Sequence, residues 1–392
     1  MKDIYFDHAA TTPIVEEVIE VMQPFYNEIY ANPASSHLPG QKAASALEDA
    51  RELVTKLIGA KKAEELVFTA GGTEADNLAL KGAALARSSE GKHIITSSIE
   101  HHAVLKSCKY LEKHLGFEIT YLDVDQDGII DVEELKRNIR EDTILVSIMY
   151  ANNEIGTIQP IKELAAVAHQ NDIIFHTDAV QTVGQLKIDV NDLGVDLLSI
   201  SAHKFNGPKG IGALFVSQGV ELVPQMSGGS QERKRRAGTA NLAAAVGMGK
   251  AAEIALEKLA EKRNKLVLLR DYFISELFAN FDDIKINGPK GDYRLPGNIN
   301  ISFKNLDSES ILFNLSLNDI AASTGSACAS GSLSVSHVLK AIALEEEYIK
   351  GAIRFSLGFG NTKEEIDYVP LKNIYSIKKR NLKPTIDNYL PF

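Results

Sequence analysis

The chain has 392 residues, 44% hydrophobic and 24% charged, the make-up of a soluble globular protein too long for one ordinary core. Its net charge of -10 argues against a general binder of nucleic acid or of a membrane surface, because phosphate would repel it. No apolar run is long enough to span a bilayer, and Met1-Lys2-Asp3 leads into no apolar signal core. The two cysteines, Cys108 and Cys328, are too few for a disulfide framework or a cysteine-based zinc site, so the expectation is a cytoplasmic protein.

From about Glu65 to Val216, short β-branched or apolar runs alternate with segments of helical spacing. Leu66 to Phe68, His93 to Thr96, Ile119 to Tyr121, Ile144 to Ser147, Ile173 to His176 and Leu197 to Ile200 read as strands. The pattern predicts an α/β fold with a mostly parallel sheet, whose ligands bind outside the carboxyl ends of the strands. After the first strand, Thr69-Ala70-Gly71-Gly72-Thr73 supplies glycines for close backbone approach, then N–H groups and a hydroxyl at a helix start. That is a phosphate cradle by chemistry, although a Gly-Gly-Thr turn alone is more often plain loop.

Glu100-His101-His102-Ala103 opens the next helix. An imidazole there can stack on a ring and move protons, while adjacent histidines point apart and are poor metal ligands. On that helix Val104, Cys108, Leu111 and Leu115 share one stripe, so Cys108 reads as an inert core residue. Asp123-x-Asp125-x-Asp127-Gly128 with Glu134 matches a calcium loop at each ligand position, but a strand rather than a helix runs into it. It reads instead as an acidic turn, with Asp131 and Glu134 forming a capping box for a helix Val132 to Ile139. No metal site is expected.

Asp178 ends the strand His176-Thr177-Asp178, where it is either a helix cap or a carboxylate partner for a ring nitrogen, and Gln181 follows one turn on. Ser201-Ala202-His203-Lys204 ends the last of these strands. Strand spacing puts Ser201 and His203 on one face, with Lys204 at the exit. Taken alone Lys204 is a surface lysine, and its neighbours make it a candidate amine nucleophile. Gln231 to Thr239 is a charged loop, read as lying near a subunit boundary rather than as a nucleic-acid patch. A long helix, about Ala243 to Phe278, bridges to a second unit with strands Asn298 to Phe303 and Ile353 to Ser356, and helices Ser308 to Leu315 and Thr362 to Tyr368. Cys328 lies in a Ser/Gly/Ala stretch, Ser323 to Ser336, that suits an accessible thiol better than a core one. Arg354 alternates with apolar strand residues, either as a clamp for a carboxylate or as a structural ion pair.

With these blocks in hand, and with Tyr5 to Pro13, Asn32 to His37 and Asn152-Asn153-Glu154-Ile155-Gly156, the chain resembles the cysteine desulfurases. These belong to the class-V aminotransferases among fold-type-I pyridoxal-phosphate enzymes, and the loop resembles that of the iron–sulfur and tRNA-thiolation subgroup. The resemblance implies a large cofactor-binding domain, residues 15–255, and a smaller α+β domain from residues 1–14 and 256–392. It implies that Lys204 carries pyridoxal 5'-phosphate, that His101 stacks on its ring and that Asp178 pairs with the ring nitrogen. Gln181 and Asn153 would contact the ring side, while Gly72, Thr73, Ser201 and His203 would hold the phosphate. Thr239 would reach the cofactor of the second subunit of a homodimer. Arg354 and Asn32 would hold the carboxylate of L-cysteine, and Cys328 would take its sulfur as a persulfide for an iron–sulfur scaffold or a tRNA-thiolating enzyme. A selenocysteine lyase, or another pyridoxal-phosphate transaminase or lyase, would share much of this set. After Cys328 the chain reads Ser334-Val335, where that subgroup usually has Glu-Pro.

Overall fold

The computed structural model describes residues 3–325 and 335–369; Cys328 and Ser334 lie outside them. The strands are β1 (Ile4–Tyr5), β2 (Leu66–Thr69), β3 (His93–Ser97), β4 (Glu118–Leu122), β5 (Thr143–Ser147) and β6 (Ile174–Asp178). They continue with β7 (Leu197–Ser201), β8 (Gly212–Val216), β9 (Ile284–Ile286), β10 (Asn298–Phe303), β11 (Ile320–Ala321) and β12 (Ala352–Ser356).

Seven of them form one sheet in the order β2-β8-β7-β6-β5-β3-β4. The run from β7 to β4 is parallel, as the alternation of strand and helix predicts. Strand β8, which the alternation did not separate from its surroundings, is antiparallel to both β2 and β7. Every residue of β2, β3, β5, β6, β7 and β8 is buried, because helices cover both faces. One apolar cluster lies on one face and draws on Val18, Leu47, Val54, Phe175 and Met248. A second lies on the other face and includes Leu80, Ile94, Val104 and Cys108. Cys108 is indeed core, its thiol pushed far up by burial.

A separate cluster joins Ile4 and Phe6 to Phe273, Ile301, Ile353 and Phe355. It packs on the antiparallel sheet β12-β10-β9. The bridge to it is two helices, Leu242–Glu257 and Leu259–Asn280, rather than the single one expected. They break at Lys258, with φ -94° and ψ 4°, where no Gly or Pro marks the place in the sequence. The capping box at Asp131 also differs from expectation. Asp131 caps through the N–H of Glu133, while Glu134 accepts from the N–H of Asp123 across the acidic turn. Asp125 spends an oxygen on the N–H groups of Asp127 and Ile129.

The start of the chain ties the two units together. Residues 4–8 lie between β11 and β12, with Phe6 N donating to Ala321 O and Ser356 N donating to Phe6 O. The strap then runs over the carboxyl end of the large sheet, where Thr12 donates through both its N–H and its hydroxyl to the carbonyl of His203.

Candidate active site

The carboxyl ends of β2, β3, β5, β6 and β7 deliver one residue set to one place. A cavity of about 260 Å³ is lined by Gly72 and Thr73 after β2, His101 after β3, and Asn153 after β5. Asp178 and Gln181 come from the end of β6, and Ser201, His203 and Lys204 from the end of β7. Arg354 of β12 closes it from the other sheet. An adjoining, more open cavity of about 690 Å³ shares Gly72, Thr73, Ser201 and His203 and extends to Lys209 and Gly210.

The Gly-Gly-Thr turn is shaped by its neighbours. The helix Gly72–Ala86 starts at the second glycine, after Gly71 at φ 153°. A side chain on Gly72 would come within 2.7 Å of Val180, so only glycine lets this turn approach the β6 end. Glu74 fixes it by accepting from Ala70 N at 2.7 Å and from Arg236 at 2.8 Å.

The Lys204 amine donates to the carbonyls of Ala9 at 2.5 Å and Ala10 at 3.0 Å, on the strap. Gln181 donates to the same Ala9 carbonyl at 3.0 Å. His203 meets Thr11 at 3.1 Å through its Nδ1. His101 caps the helix His102–Leu115, its Nδ1 accepting from Ala103 N, which leaves the ring proton on Nε2. Burial first, and then the charge of Lys204, lower its pKa to about 4; the same two causes lower that of His203 to about 4. Both are neutral rings at neutral pH. Burial raises the Asp178 carboxyl, which the N–H of Val180 and the Lys204 charge partly offset. Glu100, fully buried beside His101, is pushed up to about 8 by burial while accepting from Ser97 and from Met149 N.

Arg354, 2% exposed, is held in place by several acceptors. It pairs with Asp7 at 2.9 Å and donates to the carbonyls of Asn153 at 2.9 Å and Gly325 at 3.4 Å. Its Nε has no partner among the described residues. It is therefore a structural ion pair that still offers a donor edge. Asn32 and Thr239 stand apart. Asn32 is exposed and caps its own turn at Ala34 N, Thr239 is exposed on its loop, and neither lines these cavities.

Sequence reasoning assigned no role to Asp7, Ala9, Ala10, Thr11 or Asp76. Ala9 and Ala10 act through backbone carbonyls, and Asp7 and Thr11 through partners 347 and 192 positions away, which no local motif reveals. Asp76 had a visible signal, an acidic residue among Ala75, Leu78 and Ala79 on a buried helix face.

The residues fit pyridoxal 5'-phosphate. They offer a half-buried lysine amine, a carboxylate in a poorly solvated cavity and a neutral imidazole. A glycine turn at a helix start adjoins them on the side of the open cavity, where a phosphate can stay solvated.

Residues 4–369 match the family described as aminotransferase class-V. The chain is 54% identical over 367 residues to the cysteine desulfurase IscS of Dictyoglomus turgidum, covering 94% of this chain and 92% of that one. Among solved structures it is similar to a NifS-like protein (39% identity, TM-score 0.89, 96% of this chain and 100% of that one). It is also similar to SspA in complex with cysteine (39% identity, TM-score 0.79, 92% and 100%). The chain thus belongs to the class-V aminotransferase family of pyridoxal-phosphate enzymes and, within it, to the cysteine desulfurases.

Proposed function

We propose that this protein is a pyridoxal-phosphate-dependent cysteine desulfurase that moves the sulfur of L-cysteine onto Cys328 and releases L-alanine. The observation that carries it is the meeting of Lys204, Asp178, His101, Thr73 and Arg354 around one cavity, in a chain of this family.

Bound pyridoxal phosphate supplies an aldehyde that condenses with amines and a ring that takes up the electron pair left by a departing α-proton. Lys204 would hold the cofactor, and its amine, when free, would take the α-proton of the substrate. Asp178 would hold the ring nitrogen with a negative charge. Neutral His101 would hold the ring and offers a donor at Nε2. Arg354 receives the substrate carboxylate on the edge that includes Nε. The Cys328 thiolate attacks the substrate sulfur, forming an S–S bond as the C–S bond breaks. The bonding pair goes to the substrate β-carbon, which takes up the proton released by the substrate thiol, so alanine leaves and Cys328 holds a persulfide.

Thr239 lies exposed on its loop, outside the cavities of its own chain, which supports a homodimer in which it reaches the phosphate of the second copy. The apolar clusters support a large unit, residues 15–255, and a small one, residues 1–14 and 256–392. The persulfide sulfur would pass to an iron–sulfur scaffold or a tRNA-thiolating enzyme in the cytoplasm; among the described residues no helix is long and apolar enough to cross a membrane.

The test compares holoenzymes. Cys328→Ala should keep the visible cofactor band and lose alanine formation from cysteine under reducing turnover. Lys204→Ala should lose the band of the lysine-bound cofactor. Undiminished alanine production by Cys328→Ala would remove that residue from the reaction.

A further inference from the structure

Asp76 lines the same cavity one turn into the helix that begins at Gly72, and it is 1% exposed. One of its oxygens, Oδ1, has no donor among the described residues and lies 3.7 Å from His176 Nε2. Its carboxyl is also hydrogen-bonded to Ser199. His176 itself lies between two hydroxyls, Ser147 Oγ at 2.8 Å from Nδ1 and Ser199 Oγ at 3.0 Å from Nε2. Asp76, Ser199, His176 and Ser147 therefore form a buried chain across β7, β6 and β5, directly behind Asp178.

Charging both Asp76 and Asp178 is strongly disfavoured. Their carboxyl oxygens and a His101 ring nitrogen all lie within 4.8 Å of one another, and two carboxylates sharing a buried site retain one proton between them. The other ionisable groups facing Asp76 are Glu100, a further carboxyl, and His176, which burial holds down to about 3 and hence neutral. The two carboxyls differ in what stabilises a charge. Asp178 accepts from Val180 N and feels Lys204, whereas Asp76 has one hydroxyl and, among the described residues, no donor at Oδ1. Burial and then the Asp178 charge raise Asp76 well above the ordinary carboxylate range.

We propose that Asp76 is a positioning residue, a neutral carboxylic acid that keeps one proton behind Asp178 so that Asp178 alone faces the cofactor ring as a carboxylate. The inference rests on the cofactor reading above. It also sets the direction of the buried chain. The Asp76 hydroxyl donates to Ser199, Ser199 donates to His176 Nε2, and the proton on His176 Nδ1 points to Ser147. An ionised Asp76 would reverse each of these bonds and move the His176 proton to Nε2.

The experiment is an infrared difference spectrum between the wild-type and Asp76→Asn holoenzymes at neutral pH, with the His176 ring read by nitrogen-15 NMR in the wild type. The expected result is the loss of one protonated-carboxyl band on substitution, with His176 protonated at Nδ1. Loss of a carboxylate band instead, or a proton on Nε2, overturns the proposal. Asp76→Asn, still a neutral donor, should bind the cofactor about as tightly as wild type and with the same visible band at each pH. Asp76→Ala should bind it about tenfold more weakly, the scale of one buried hydrogen bond. Equal weakening in both variants, or none in either, also overturns it. A wild-type protein without the visible band would instead sink the cofactor reading, so the two failures are distinguishable.

Discussion

Burial and the adjacent Lys204 charge hold the His101 imidazole down to about 4, well under the ordinary histidine value, and its Nδ1 is occupied by Ala103 N. The ring is then neutral across the range from about pH 5 to 8 in which a free histidine titrates. The pH profile of kcat/KM for cysteine should accordingly carry no acid limb from this residue. A limb near the usual histidine pKa that vanishes in His101→Gln would contradict this. Asp178 behaves in the opposite sense. Its carboxyl is raised by burial, yet pairing with a protonated ring nitrogen requires the charged form. Cofactor binding to the apoprotein should therefore weaken as pH falls through that raised pKa, by about tenfold per pH unit while one proton must be expelled. Titration of the apoprotein with pyridoxal phosphate across the acid range measures the slope. In Asp178→Asn the part of the slope due to this carboxyl should disappear.

Among the elements, strand β8 shapes the phosphate turn from behind. A side chain on Gly212 would come within 2.7 Å of the Gly71 backbone and 2.5 Å of the Ile200 carbonyl, neither of which can swing away. Gly212→Ala should push the turn off its position and weaken cofactor binding about tenfold or more, at an overpacking cost of roughly 1–3 kcal/mol. Equilibrium dialysis, with circular dichroism to show retained secondary structure, checks it. This strand also shows where the sequence was hard to read. The six strands from Leu66 to Ile200 stood out because each is a short β-branched or apolar run bounded by helical periodicity. In Gly212–Val216 the run follows Lys204 through Asn206-Gly207-Pro208 with no helix between, so no change of period marks it. The break at Lys258 was hidden for the converse reason, since the helical period continues on both sides of it. The site was legible where chemistry sits at a strand end, as at Asp178, His203 and Lys204. It was illegible where the contribution is a carbonyl, as at Ala9 and Ala10, because any residue type can supply one.

For the molecule as a whole, the strap at residues 4–12 joins the two sheets to the lysine. It adds to β11 and β12, places Asp7 on Arg354, and offers Ala9 and Ala10 to Lys204. Deleting the chain through Thr12 should leave the large sheet folded, since its apolar clusters use no residue before Ile14. The same deletion should abolish cofactor retention and cysteine turnover. Gel filtration together with the visible spectrum separates this from global unfolding; a truncated protein that stays yellow and active would refute it.

The strap also orders events during synthesis. Asp7 leaves the ribosome early, but its partner Arg354 is made 347 positions later, a wait of roughly 20 to 70 s at about 5–20 residues per second. Through that interval the large sheet can assemble around its own clusters while Phe6, an apolar residue destined for the last core to form, has nowhere to pack. Residues made before either sheet are thus among the last to settle, and the growing chain stays inert, with that segment unpacked and open to chaperones and proteases, until β12 arrives.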